Sequence, residues 1–128
     1  MNWIEVAVIV AIVLALYFMR RGANQVGRES AVAHLKAGAL LIDVRSPGEF
    51  ASGHLPKAIN IPLDGIETAL PRRVPNKDEA LLLYCQSGTR SGLARRRLKG
   101  LGYGNALNVG SYARAARICE ESGELVNR

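Results

Sequence analysis

The sequence predicts an α/β fold, a parallel sheet flanked by helices on both faces and preceded by one transmembrane helix, and three observations carry that reading. Short apolar runs of strand type (39–44, 58–61, 80–84 and 106–109) alternate with stretches of helical pattern. Such alternation gives a parallel sheet covered on both sides. Val6 to Met19 is an unbroken run of 14 apolar or aromatic residues. One strand-type run ends on a cysteine that opens a tight turn and leads straight into a helical pattern, Cys85-Gln86-Ser87-Gly88-Thr89-Arg90-Ser91.

The first segment, 1–21, reads as the anchor. Trp3 and Ile4 extend the apolar run to 17 positions if Glu5 is tolerated, which at about 1.5 Å per residue spans some 26 Å, close to a bilayer core. Trp3 and Tyr17 suit opposite interfaces. A cleaved signal would carry positive charge before the run and a small-residue cleavage site after it; here Glu5 precedes the run and Arg20-Arg21 follows it. The positive-inside rule then keeps the arginine flank, and the domain behind it, on the cytoplasmic side. The competing reading is an export signal that delivers the domain outside.

Residues 22–27 form a polar linker with Gly22 closing the anchor helix, 28–122 the domain, and 123–128 a tail. Within the domain, 28–37 is predicted helical with Ala31 and Leu35 on its apolar face, and 39–44 is a buried strand ended by Ser46 and Pro47. Ser46 caps a short helix over 46–51 with Pro47 in its first turn. A strand at 58–61 lies between Pro56 and Pro62. A helix over 64–70 stops at Pro71, and 71–78 is a charged connector. The strand 80–84 is followed by a helix over 91–101 closed by Gly102, a last strand at 106–109 and a last helix at 111–121. In such sheets ligands bind beyond the carboxyl ends of the strands, where the Cys85 loop falls.

That loop describes an anion cradle built around a thiol. A strand that stops, a turn of small residues and a helix start aim backbone N–H groups and the positive helix end at the Cys85 sulfur. These surroundings favour the thiolate, the form that attacks. Gly88 lets the backbone curl and Arg90 supplies a fixed positive charge.

The loop resembles the active-site pattern of the single-domain rhodaneses: Cys, two variable residues, Gly, one variable residue, Arg and Ser. A second block agrees with that family: Leu41-Ile42-Asp43-Val44-Arg45-Ser46-Pro47, then Glu49-Phe50, Gly53-His54-Leu55-Pro56 and Ala58-Ile59-Asn60-Ile61-Pro62-Leu63. The resemblance covers about residues 25 to 120. It implies a two-step sulfur transfer in which Cys85 takes sulfane sulfur from a small anionic donor such as thiosulfate, carries it as a persulfide, and yields it to cyanide or a thiol, a protein sulfur acceptor included. Backbone N–H groups from Gln86 to Ser91 would hold both the thiolate and the persulfide, with Ser87, Gly88 and Thr89 shaping the turn. Arg90 either orients the donor or pins the loop, and pinning suits a side chain that can turn away from the sulfur. Asp43 and Arg45 belong to the scaffold beside the loop, read first as an ion pair, and His54 is read as structural. Gln86 stands where several thiosulfate-using members carry a basic residue, which leaves donor preference open. Asn108-Val109-Gly110-Ser111-Tyr112 keeps one glycine where many relatives have two.

Composition sets the outer bounds. The 128 residues give one small core after the anchor, and two cysteines, Cys85 and Cys119, make no disulfide framework. Cys119 is expected to be a partly buried helical thiol. Two scattered histidines, His34 and His54, predict no metal site and no cofactor is expected. The net charge of +6 suits anionic partners, and its densest cluster, Arg95-Arg96-Arg97 with Lys99, reads as a solvated helix face that could also meet small anions, acidic lipids or an acidic protein. Few aromatics and no recognised motif argue against nucleic acid. Two rival functions stand beside sulfur transfer. One is a membrane-anchored interaction module or sulfur carrier without turnover. The other is a phosphatase, disfavoured because Arg90 lies five positions after Cys85 where a related phosphatase branch has one more.

Overall fold

A computed structural model describes residues 1–123, for 20–23 the backbone alone; the predicted tail beyond Gly123 lies outside the described residues. The chain runs α1 (Trp3–Ala23), α2 (Arg28–Lys36), β1 (Leu40–Asp43), α3 (Pro47–Ala51), β2 (Ile59–Asn60), α4 (Ile66–Arg73), β3 (Leu81–Cys85), α5 (Thr89–Gly100), β4 (Ala106–Ser111) and α6 (Tyr112–Ser122). The four strands form one sheet in the order β2-β1-β3-β4, with every pair parallel. β3 is central and fully buried, which is why its sequence, Leu-Leu-Leu-Tyr-Cys, is apolar throughout rather than alternating.

The two-residue period of β3 divides the core. Leu81, Leu83 and Cys85 face Ile66 and Leu70 of α4 and Ala94 and Leu98 of α5. Leu82 and Tyr84 face Ala31 and Leu35 of α2 and Ala115, Ile118 and Cys119 of α6. Removing a side chain such as Leu81 or Leu83, both wholly buried, is expected to cost about 2–5 kcal/mol. Cys119 is more deeply buried than its sequence suggested, at 1 % exposure.

Several boundaries differ from expectation for local reasons. α1 continues past Gly22 to Ala23. α4 runs through Pro71 to Arg73 instead of stopping there; a proline forfeits one N–H, and the turn still closes with Val74 N–H donating to the Leu70 carbonyl at 2.8 Å. α5 begins at Thr89, inside the loop, because Gly88 adopts φ +93° as its N-cap. β2 has two residues. β4 extends to Ser111 through a register shift that leaves Val109 as an extra residue between Asn108, opposite Leu83, and Gly110, opposite Tyr84.

The described side chains of α1 are exposed from Trp3 through Met19, large apolar groups included. Among the described residues no helix is long and apolar enough to cross a membrane. The expected transmembrane helix is therefore not supported: the unbroken apolar run is 14 residues, and even the 17 positions that include Glu5 span about 26 Å, against a hydrocarbon core of about 30 Å.

Candidate functional site

β3 delivers Cys85 to the carboxyl edge of the sheet, and the chain turns there through Gln86, Ser87 and Gly88 into α5. The positive φ of Gly88 curls the backbone so that donors converge on one sulfur. Gly88 N–H donates to Cys85 Sγ at 3.0 Å, and the Ser91 N–H and hydroxyl do so at 3.5 Å each. Cys85 is wholly buried. Burial pushes the thiol up, but donation from the Ser91 hydroxyl and N–H and from the Gly88 and Ser87 backbone outweighs it, so the thiol sits below its ordinary value. Ser91 and Gly88 are buried behind the sulfur, whereas Gln86, Ser87 and Thr89 are exposed at the rim.

The loop is held from outside. Its Gln86 carbonyl accepts from Tyr112 N–H at 3.3 Å. The Asn108 carboxamide donates to the Gly88 carbonyl at 3.3 Å and accepts from Gly110 N–H at 2.9 Å. A buried asparagine in an apolar strand signals such a bonding duty, and the sequence reading passed over it.

Arg90 turns away from the turn and forms a fork with Glu49, Nη1 to Oε1 at 2.6 Å and Nη2 to Oε2 at 2.9 Å. Glu49 is also the third residue of α3, where it closes a capping box with Ser46. Hydrogen bonding from Arg90, helped by Ser46, holds the Glu49 carboxyl at about 2; the same pairing raises Arg90, and the charge of Cys85 raises it further. The geometry thus places Arg90 as a clamp between α5 and α3. The Ser46-x-x-Glu49 spacing announces the cap, but nothing in it announces Arg90, 41 residues away.

Asp43 and Arg45 lie at the carboxyl end of β1 and are 0 % and 5 % exposed. Arg45 Nη2 donates to Asp43 Oδ2 at 2.7 Å and to the Gly53 carbonyl at 2.7 Å, and its Nε lies 3.1 Å from both carboxylate oxygens. The guanidinium carbon is 4.9 Å from the Tyr112 ring centre and 5.9 Å from that of Tyr84. Neither side chain donates to the sulfur. His54 stacks on Phe50 at 3.6 Å between ring centres, and its Nδ1 lies 2.9 Å from the Phe50 carbonyl. In the arginine cluster Arg95 bonds Asn24 at 3.0 Å and Arg97 pairs with Glu67 at 3.4 Å, while Arg96 and Lys99 are exposed. Among the described residues no group of three or more His, Cys, Asp or Glu could hold a metal ion.

A buried thiol whose ionised form is favoured by backbone and hydroxyl donors has the character of a nucleophile. Several known proteins are similar to the chain in sequence and fold. Thiosulfate sulfurtransferase PspE of Escherichia coli (strain K12) is 38 % identical over 69 residues, 54 % of this chain and 66 % of that protein. The human thiosulfate:glutathione sulfurtransferase is 37 % identical over 87 residues, 58 % of this chain and 76 % of that one. This chain spans just under two thirds of the bacterial protein. The solved human single-domain sulfurtransferase TSTD1 superimposes with a TM-score of 0.64 at 32 % identity, over 73 % of this chain and 96 % of that one. A rhodanese from E. coli solved with anions gives 0.58 at 34 % identity over 60 % and 91 %. The family described as Rhodanese-like domain matches residues 28–114, more than half of the sequence, and the chain belongs to that family.

Proposed function

We propose that this chain is a rhodanese-type sulfurtransferase that moves sulfane sulfur from an anionic donor such as thiosulfate, through a persulfide on Cys85, to a thiol or cyanide acceptor. The observation that carries this reading is the Cys85 Sγ held by Gly88 and Ser91 donors. In the first step the thiolate attacks the outer sulfur of thiosulfate. A Cys85 S–S bond forms, the bond to the sulfonate group breaks, and sulfite leaves with the electron pair. In the second step the acceptor, as thiolate or cyanide, attacks the outer persulfide sulfur, and the Cys85 thiolate leaves. The same N–H donors serve the anion in both states, so the cradle is arranged before each transfer. Relatives named as thiosulfate and thiosulfate:glutathione sulfurtransferases support the donor and acceptor classes.

The Arg90 fork with Glu49 favours sulfur over phosphate, because the arginine is engaged outside the turn. Steady-state assays with thiosulfate and cyanide or glutathione should give the parallel double-reciprocal lines of a ping-pong reaction. Efficient hydrolysis of an aryl phosphate without sulfur transfer would replace this reading by the phosphatase one. A folded protein with neither activity would leave the interaction module.

The exposed apolar side chains of α1 support a second element of the reading, attachment to a membrane, and Arg20-Arg21 after the run, with Glu5 before it, favour the domain on the cytoplasmic side. The described apolar stretch falls a few ångströms short of the hydrocarbon thickness, so the attachment requires a locally thinned bilayer or a shallow seat in the interface. Protease added to inverted vesicles should cleave the domain; protection there contradicts the cytoplasmic orientation.

A further inference from the structure

The segment read from sequence as a polar linker is tied to the domain at successive residues just behind the sulfur cradle. Asn24 Oδ1 accepts from Arg95 Nη1 of α5 at 3.0 Å, and its carboxamide covers Gly92, where a Cβ would collide with it. Gln25 forms a parallel bridge with Asn108 of β4. Val26 N–H donates to the Asn108 carbonyl at 2.8 Å. Arg114 of α6 donates from Nη2 to the Val26 carbonyl and from Nη1 to the Val109 carbonyl, each at 2.6 Å. These ties occupy the open edge of β4, which would otherwise present unpaired backbone groups. Residues 24–26 precede the span matched by the family, 28–114.

Between these ties the Gln25 carboxamide lies against two glycines. A Cβ on Gly110 would stand 2.8 Å from Gln25 Nε2, and one on Gly88 3.2 Å from it. Both glycines have positive φ, +99° and +93°, and both bear on the donors at the sulfur. Gly88 donates its N–H to Cys85 Sγ. The Gly110 carbonyl lies 3.5 Å from the Ser91 hydroxyl, as the sulfur does, and competes with the sulfur for the one hydroxyl proton. Glycines have no side chains to hold them in place, so a body packed against them fixes where their peptide groups point.

We propose that Asn24–Val26 is a strap that sets the sulfur cradle, with Gln25 as a positioning residue for the Cys85 thiolate. The proposal rests on the sulfurtransferase reading, and it links α1 directly to the reactivity of the site. Hydrogen bonds to sulfur weaken steeply with distance and angle, and a gap behind Gly88 and Gly110 would let both peptides relax into it. The charged groups around the cradle are Arg90 with Glu49, Asp43 with Arg45, and Arg95 of α5 and Arg114 of α6, which bond the strap; replacing Gln25 by a neutral residue alters none of their charges.

The test is the pH dependence of Cys85 alkylation by iodoacetamide in the full chain with Cys119→Ala as background, measured with the melting temperature for Gln25→Ala, Gln25→Asn and Gln25→Met. Gln25→Ala should raise the alkylation midpoint by about half a unit to one unit, read as about three- to tenfold slower alkylation at neutral pH with an unchanged plateau at high pH. Gln25→Asn should fall between, and Gln25→Met, which fills nearly the same volume, should restore the wild-type midpoint. A merely structural contact would lower the melting temperature and leave the midpoint in place, and that result overturns the proposal. Should Gln25→Ala fail to fold, the Asn and Met variants carry the comparison, and equal midpoints in both overturn it. Alkylation needs no sulfur donor, so a wild type that alkylates as expected but takes no sulfur from thiosulfate would count against the sulfurtransferase reading and leave the strap standing.

Discussion

The carboxyl ends of β1 and β3 lie side by side, and they handle charge in opposite ways. At β1 the protein supplies both signs: Asp43 and Arg45 are buried together, with the Gly53 carbonyl accepting from the guanidinium. At β3 there is a thiol and a set of backbone donors, and Arg90, which feels the Cys85 charge, is already bonded to Glu49. The first end is electrically complete, whereas the second becomes so when an anion forms on the sulfur. A complete buried pair chiefly holds structure, and an incomplete donor cradle holds chemistry.

The largest effect expected from breaking this contrast is at β1. Asp43→Ala leaves the Arg45 charge buried without its partner and should cost about 3–5 kcal/mol in urea or thermal unfolding. A loss below about 1 kcal/mol would mean that Arg45 finds water, and the contrast would fail. At β3, Gly88→Ala should cost about 1–2 kcal/mol for the left-handed backbone, because Gly88 sits at φ +93° with its would-be Cβ 3.2 Å from Gly110 Cα. Its larger consequence should be slower alkylation and sulfur loading of Cys85, since the 3.0 Å donor moves with the peptide.

Arg90→Lys should cost little stability, because the pair is more than a third exposed and screened by solvent. Turnover should fall further than stability does, as the fork that steadies the start of α5 is lost. The smallest effect concerns acid. Glu49 is held at about 2, below its ordinary value of 4.5, so its contribution to stability is present above about pH 4.5 and is lost as pH falls toward 2. Arg90→Ala should flatten that part of the stability profile, and an unchanged profile would show that the clamp does not act in solution.

The sheet and its covering helices were legible because each strand was a compact apolar run with a helix-forming stretch behind it. Cys85, Gly88 and Ser91 could be singled out because a cradle uses consecutive residues. The Arg90–Glu49 fork was half legible: the sequence suggested that Arg90 turns away, but no local rule names a partner on another helix. Gln25 and Asn24 looked like linker because Asn, Gln and Gly are common in linkers; their role depends on the open edge of β4 and on two glycines far away in sequence. Pro71 misplaced the end of α4 since a single missing N–H does not by itself end a helix. The apolar start of the chain gave a length near the spanning limit, where a difference of one turn decides the outcome.

Intact-protein mass spectrometry after incubation with thiosulfate tests the central claim most directly. Wild-type protein should gain the mass of one sulfur atom on Cys85, lose it again on addition of cyanide, and gain none as Cys85→Ser. A folded wild type that gains no sulfur, or a Cys85→Ser variant that gains it equally, would contradict the account.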